Sequence, residues 1–238
     1  MLTNNKLPRP GSKDLWNAFM LKGASFDPIS DMPVCISSDI VPRSLISFDE
    51  AKSIYYREAK KKNTSFFIDS FIMFYIDDHK FDGKRTSIWT FPGKALKIIR
   101  HFSGIITPDF STCADFPDSV NRFNTFRMRT FGVWMNQLNI PVINNVRWGT
   151  YDTWDYCFSG IPKGSPVAIG TVACGLRKSV HHPIFIEGFK KMLSVIDPPR
   201  IIIYGSSERV HLQEYCKPEV EIIVFPGKTS IALKEVTP

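Results

Sequence analysis

The residues best suited to chemistry in this 238-residue chain are an aspartate and two arginines that lie far apart in sequence. Asp109, in the string Thr107-Pro108-Asp109-Phe110-Ser111, follows an apolar run and has the chemistry of an acid, a base or a metal ligand. Arg127 lies, at about 100° per residue, in the middle of a stripe formed by Val120, Phe123, Phe131, Trp134 and Leu138. It is therefore expected to point inward, whereas Arg122 and Arg129 fall on the opposite, solvated face. An inward guanidinium requires a carboxylate or a bound anion, because leaving it unpaired costs several kcal/mol, and Asp109 is the expected partner. Arg147 offers a rigid fork for phosphate or carboxylate, and its neighbour Trp148 a plane for stacking.

Other polar groups follow other apolar runs. Thr171, Arg177 and Lys178 leave one of them, and Gly205-Ser206-Ser207 joins a strand pattern to a helix pattern. There, backbone N–H groups and hydroxyls either take a phosphate oxygen or cap the helix. The loop lacks both the G-x-G-x-x-G spacing and the Walker lysine, which excludes a standard dinucleotide or P-loop site. Asp155 lies in an aromatic segment with Trp148, Tyr151, Trp154, Tyr156 and Phe158, rings that stack on bases or sugars or fold the loop onto the core. Cys174, in Ala173-Cys174-Gly175, stands where a nucleophile could sit, but with no partner in sight it reads first as a small buried hydrophobe. Asp77-Asp78-His79 has hard ligands for a divalent cation, yet adjacent strand residues cannot all face one ion, and Lys80-Phe81-Asp82-Gly83 reads as a turn. There is no nucleophile elbow, no H-E-x-x-H and no zinc deaminase signature, and nothing identifies a cofactor.

The elements that must position these residues alternate. A capping box, Ser47-Phe48-Asp49-Glu50, starts a helix running to Lys60-Lys61-Lys62. Apolar runs at 66–76, 104–107, 141–146, 167–170, 201–204 and 221–225 read as strands, with helices over 93–101, 117–138, 183–196 and 208–216 between them. This β-then-α order predicts an α/β fold with a mostly parallel sheet and flanking helices, open or partly closed like a TIM barrel, and a hairpin-like excursion near Asp82-Gly83. Residues 1–43 are expected to form a partly irregular N-terminal arm, and 44–238 a single domain. In such folds the loops leaving the strand carboxyl ends converge on one face, which is where Asp109, Arg147, Trp148, Thr171 and Ser206 are expected to line a site.

Composition narrows the setting. A formal charge of +7 favours anionic partners, either nucleic acid or a phosphate-bearing ligand. No apolar run approaches the roughly 20 residues of a membrane span, and the polar start lacks a signal-peptide core. The five cysteines, odd in number and scattered, are expected to be free thiols in a cytoplasmic protein.

The strings Ile105 to Ser111, Arg127 to Gly132, Ile140 to Ile143, Val146-Arg147-Trp148, Cys157 to Gly164 and Ile203 to Ser206 resemble the domain-of-unknown-function family 4417, over roughly residues 65 to 225. The resemblance implies a protein of phages and other mobile elements in the host cytoplasm, and assigns no activity or site residue. Two function classes follow. The first is a binder of, or enzyme on, an anionic ligand, with Asp109 and Arg127 in the chemistry. In it Arg147, Trp148, Asp155, Thr171, Arg177, Lys178, Gly205 and Ser206 would hold the ligand. The second is a non-catalytic factor that binds and inhibits or redirects a host protein, such as a defence component.

Overall fold

In the computed structural model, the described residues are 13–227 except 15, 173, 177, 207 and 209. Seven strands make one sheet in sequential order, every neighbouring pair parallel. They are β1 (Leu45–Ser47), β2 (Ile68–Met73), β3 (Phe102–Ile106), β4 (Val142–Asn145), β5 (Val167–Gly170), β6 (Arg200–Tyr204) and β7 (Glu221–Phe225). The helices are α1 (Phe48–Lys60), α2 (Pro92–Ile99), α3 (Asp118–Gln137), α4 (Trp154–Cys157) and α5 (His182–Ile196). Sequential order with right-handed crossovers puts every connection on one face, so the sheet must curl to cover its other face with itself. Among the described residues no ladder joins β1 to β7, and the sheet is curled but open.

Strand alternation builds both faces. Phe71, Met73, Tyr75, Ile106, Ile143, Ala168, Ile202 and Tyr204 fill the concave interior, where Leu45 and Phe225 of the two edge strands pack against them. Small residues make room for large ones there: a Cβ on Gly104 would lie 2.4 Å from the Phe71 ring, and one on Gly170 would lie 2.4 Å from Tyr75. Alternate residues such as Ile72, Ile105, Ile169 and Ile203 face the helices in two outer clusters. Burial on both faces is what makes these strands continuous apolar runs.

The capping box on Ser47 and Glu50 forms and opens α1. Two expectations are corrected, and one strand was not anticipated. Residues 45–47, too short to show a period, are a strand. The stretch around Asp82-Gly83 contains no strand: Asp78–Lys80 is a 3-10 turn, and Gly83 and Thr86 close a further turn through Gly83 N–H to Thr86 Oγ1. Among the described residues of 208–216 the helical element is the 3-10 turn Leu212–Tyr215, and His211 before it takes a left-handed conformation (φ 43°) that a helix does not continue through. Among the described residues no helix is long and apolar enough to cross a membrane.

Candidate functional site

The strands deliver their exit loops to one end, and between the exits of β3, β4 and β5 and the first turn of α5 lies a cavity of about 330 Å³. Asp109, Thr112, Asn145, Arg147, Trp148 and His181 are among its lining residues. At its floor Arg147 Nη1 donates to Asp109 Oδ2 at 2.7 Å and Nε donates to the Thr112 carbonyl at 3.1 Å. The Asp109 carboxylate beside it raises the Arg147 pKa, so this guanidinium keeps its charge. Asn145 Nδ2 donates to Asp109 Oδ1 at 2.7 Å, and Tyr75 Oη donates to Asn145 Oδ1 at 3.0 Å. The tyrosine reaches it from the concave interior, where its ring stacks on Tyr204 with centroids 5.5 Å apart. Burial, and then the Asp109 charge, pushes the Tyr75 pKa up, so Tyr75 is a fixed donor in this chain.

Arg127 is turned inward as expected, its side chain 11% exposed, and it is paired with a carboxylate, but that of Asp82 and not Asp109. It donates to Asp82 Oδ2 at 2.7 Å and to Asn124 Oδ1 at 2.6 Å, and its guanidinium lies 3.9 Å from the centre of the Phe110 ring. Asn124 in turn donates to the Ser111 carbonyl. Arg127 therefore holds the outer flank of the loop that carries Asp109, while Arg147 holds its inner flank.

Arg129, expected in solvent, is 1% exposed. Its Nε, Nη1 and Nη2 donate to the carbonyls of Ser159, Asn145 and Cys157 at 3.1, 3.1 and 2.9 Å. None of these acceptors is a carboxylate, and burial pushes its pKa down to about 10, which leaves it protonated at neutral pH. The single-stripe reading of α3 fails because every residue from Met128 to Met135 is buried, whereas Val120 and Phe123 are 39% and 38% exposed. From Met128 to Met135 the helix is wedged between the sheet and the segments around Cys35 and Cys157, so that stretch has no solvated face.

The other expected ligand residues are dispersed. Trp148 lines the cavity and also packs on Phe185 at 5.0 Å and against Gly188, so it belongs to the wall and the outer core together. Thr171 is buried with Oγ1 donating to the Tyr204 carbonyl, and Gly205 (φ 117°) approaches it so closely that a Cβ would lie 2.3 Å from that oxygen. Ser206 is exposed and its Oγ accepts from Glu208 N–H; among the described residues no α-helix follows it before β7, so the expected phosphate cradle has no α-helix amino terminus there. Asp155 bonds Arg122 at 3.0 Å on the surface, tying α4 to α3. Lys178 is exposed on the loop before α5, and Arg177 lies outside the described residues.

Residues 24–226 match a family model described as Domain of unknown function (DUF4417). The chain belongs to this family. The match begins at 24, so residues 24–64, expected to lie outside the resemblance, are part of the family domain. The chain is similar to the Gene 1 protein of Mycobacterium phage L5, at 29% identity over 89% of this chain and 85% of that protein. It is also similar to the Gene 1 protein of Mycobacterium phage D29, at 33% identity over 56% of this chain and 47% of that protein. No solved structure matches.

Within this family domain, sequence reasoning passed over Asn145, Tyr75 and Thr112. The signal for Asn145 was present, because Asn144-Asn145 ends an apolar strand and both are buried. Asn144 Nδ2 donates to the Cys35 carbonyl, so one asparagine serves the arm and the other the cavity. Thr112 is 5% exposed and its Oγ1 has no hydrogen-bond partner among the described residues. Cys174 lies in the wall with Sγ donating to the Gly170 carbonyl, and burial, opposed by Arg147, pushes its thiol up to about 11. A neutral thiol is a poor nucleophile at neutral pH. All five cysteines are free. Asp78 accepts from Ser111 Oγ at 3.0 Å, and among the described residues no cluster of His, Cys, Asp and Glu has the arrangement of a metal site.

Proposed function

We propose that this chain binds a small anionic ligand in the cavity at the carboxyl ends of β3, β4 and β5, with Arg147 as the anchor. The observation that carries the reading is an uncommitted donor: Arg147, charged at the cavity floor, spends Nε and Nη1 on the Thr112 carbonyl and Asp109, and its Nη2 makes no hydrogen bond among the described residues. The first turn of α5 lines the same cavity and offers a ligand's negative charge a second partner. The net charge of +7 and the phage relatives support a setting in the cytoplasm of an infected bacterium, where anionic metabolites and nucleic acids are abundant.

Thermal stability and tryptophan fluorescence, followed during titration with inorganic phosphate, nucleotides and short oligonucleotides, test the reading. A ligand at about 100 times its Kd adds about 2.7 kcal/mol, equivalent to roughly 5–10 °C in Tm for a chain of this size. The double variant Asp109→Asn/Arg147→Met, which removes both charges together, should lose that gain. If no anion moves Tm beyond a sodium chloride control, the reading is wrong.

A second reading has its own observation. Tyr151 (74% exposed), Val180 (71%), Val172 (46%) and Ile184 (45%) all lie on exit loops or the first turn of α5, an apolar rim suited to a protein surface such as a host factor. Val180→Glu with Tyr151→Glu should abolish binding to such a partner and leave small-anion binding intact.

A further inference from the structure

The cavity floor presents an acceptor and a donor side by side, and neither is used up. Asp109 accepts one hydrogen bond on each oxygen, from Asn145 Nδ2 and Arg147 Nη1, which leaves about half of a carboxylate's lone-pair sites open. Arg147 donates through Nε and Nη1, and its Nη2 is uncommitted among the described residues. The pair is fixed in place. Tyr75 donates to Asn145 Oδ1 and so turns the amide nitrogen toward Asp109, while Arg129 holds the Asn145 carbonyl. Above this floor the walls are apolar and partly flat, with Trp148, Phe185, Val146 and Ile169 lining them.

A group that satisfies both halves of such a floor carries an N–H donor next to a carbonyl acceptor on one rigid edge. The carboxylate takes the N–H and the guanidinium donates to the carbonyl oxygen, which is the hydrogen-bonding pattern of a cyclic amide, or lactam. An inorganic anion alone would leave most of about 330 Å³ empty and the apolar walls uncovered. We infer that the ligand is a nucleotide-sized anion whose ring bears a lactam edge, read by Asp109 and Arg147, with the ring against Trp148. This rests on the anionic-ligand reading above, and it leaves the charged group at the mouth near His181 and α5. Rings that carry an amino group in place of the carbonyl turn a donor toward Arg147, and the two unpaired donors exclude them.

The test titrates the wild-type chain with the 5′-monophosphates of guanosine, inosine, uridine, adenosine and cytidine. The first three nucleosides without phosphate and inorganic phosphate complete the set, all read by tryptophan fluorescence and Tm. The lactam-bearing guanosine, inosine and uridine nucleotides should bind at least about tenfold more tightly than the adenosine and cytidine nucleotides, the discrimination expected from a lost polar pair. Arg147→Lys keeps the charge but not the fork, and should bring all five within about threefold of each other; if it does not fold, the wild-type series decides. Equal binding of all five overturns the lactam assignment and leaves the anion reading standing, as does binding of inorganic phosphate alone. Binding of the nucleosides as tightly as their phosphates overturns the proposal of an anion, because the charged group would then contribute nothing. No response to any member of the set overturns the lactam assignment.

Discussion

Replacing Arg129 by Met tests the packing beneath the cavity most directly. The substitution strips the donor from three carbonyls, those of Ser159, Asn145 and Cys157, inside a core where the arginine is 1% exposed. An orphaned buried acceptor costs about 1–3 kcal/mol, so the three together cost roughly 3–9 kcal/mol. Against this, the variant no longer holds a guanidinium out of water. Burial lowers the Arg129 pKa from 12.5 to about 10, a penalty of about 3 kcal/mol that disappears with the charge. The expected net loss is therefore about 3 kcal/mol at pH 7. Urea unfolding followed by tryptophan fluorescence should show the midpoint falling by about 1 M with the slope unchanged. Arg129→Lys should recover little, because an ammonium cannot span three carbonyls in a fixed plane. If Arg129→Met stays within about 0.5 kcal/mol of wild type, as a substitution on a solvated face would, the buried position of Arg129 and its hold on Asn145 are wrong.

The Asp109–Arg147 pair, with side chains 12% and 20% exposed, should show strong coupling: Arg147→Met alone costs about 3 kcal/mol by leaving a carboxylate unpaired, and adding Asp109→Asn restores most of it in a double-mutant cycle. Asp78 has its pKa raised by burial, partly offset by Ser111, so its folded state binds the proton more tightly than the unfolded chain and stability is lost as pH rises from about 3.8 through the folded value. Asp78→Asn should therefore raise Tm slightly at pH 7, by about 1 °C for a half-exposed group, and the gain should vanish below pH 3.8 in pH-dependent melting. Gly170→Ala drives a methyl to 2.4 Å from Tyr75 and should cost at least about 1–3 kcal/mol in urea unfolding, with the loss largely relieved in a Tyr75→Phe background only if the ring, not the hydroxyl, moves away. Alkylation of the unfolded chain without reductant should add five groups by mass, one for each free cysteine.

The parallel sheet was legible because its strands are buried on both faces and so stand out as unbroken apolar runs, while the chain order fixed which loops share an end. That geometry alone brings Asp109, Arg147 and Trp148 to one cavity from the exits of adjacent strands. The helix phase was not legible from apolar residues, and the reason is physical. The buried stripe of α3 in its first half is polar: Asn121, Asn124 and Thr125 are buried there, continuing into Met128, Phe131, Gly132 and Met135 at helical spacing. Asn121 accepts from the Cys113 N–H and donates to the Cys113 carbonyl, and Asn124 donates to the Ser111 carbonyl, so both are buried to satisfy the backbone of the loop that carries Asp109. A loop packed inside a fold cannot bond to water or to a ladder, and its peptide groups must draw partners from a neighbouring helix. Counting only apolar positions thus rotated the helix toward Val120 and Phe123 and away from Arg129, although Arg127, at the edge of the buried stripe, is itself turned in against Asp82. Buried amides at helical spacing opposite the apolar side chains were the overlooked signal. They mark the half of α3 that serves the site, as distinct from the half that only packs.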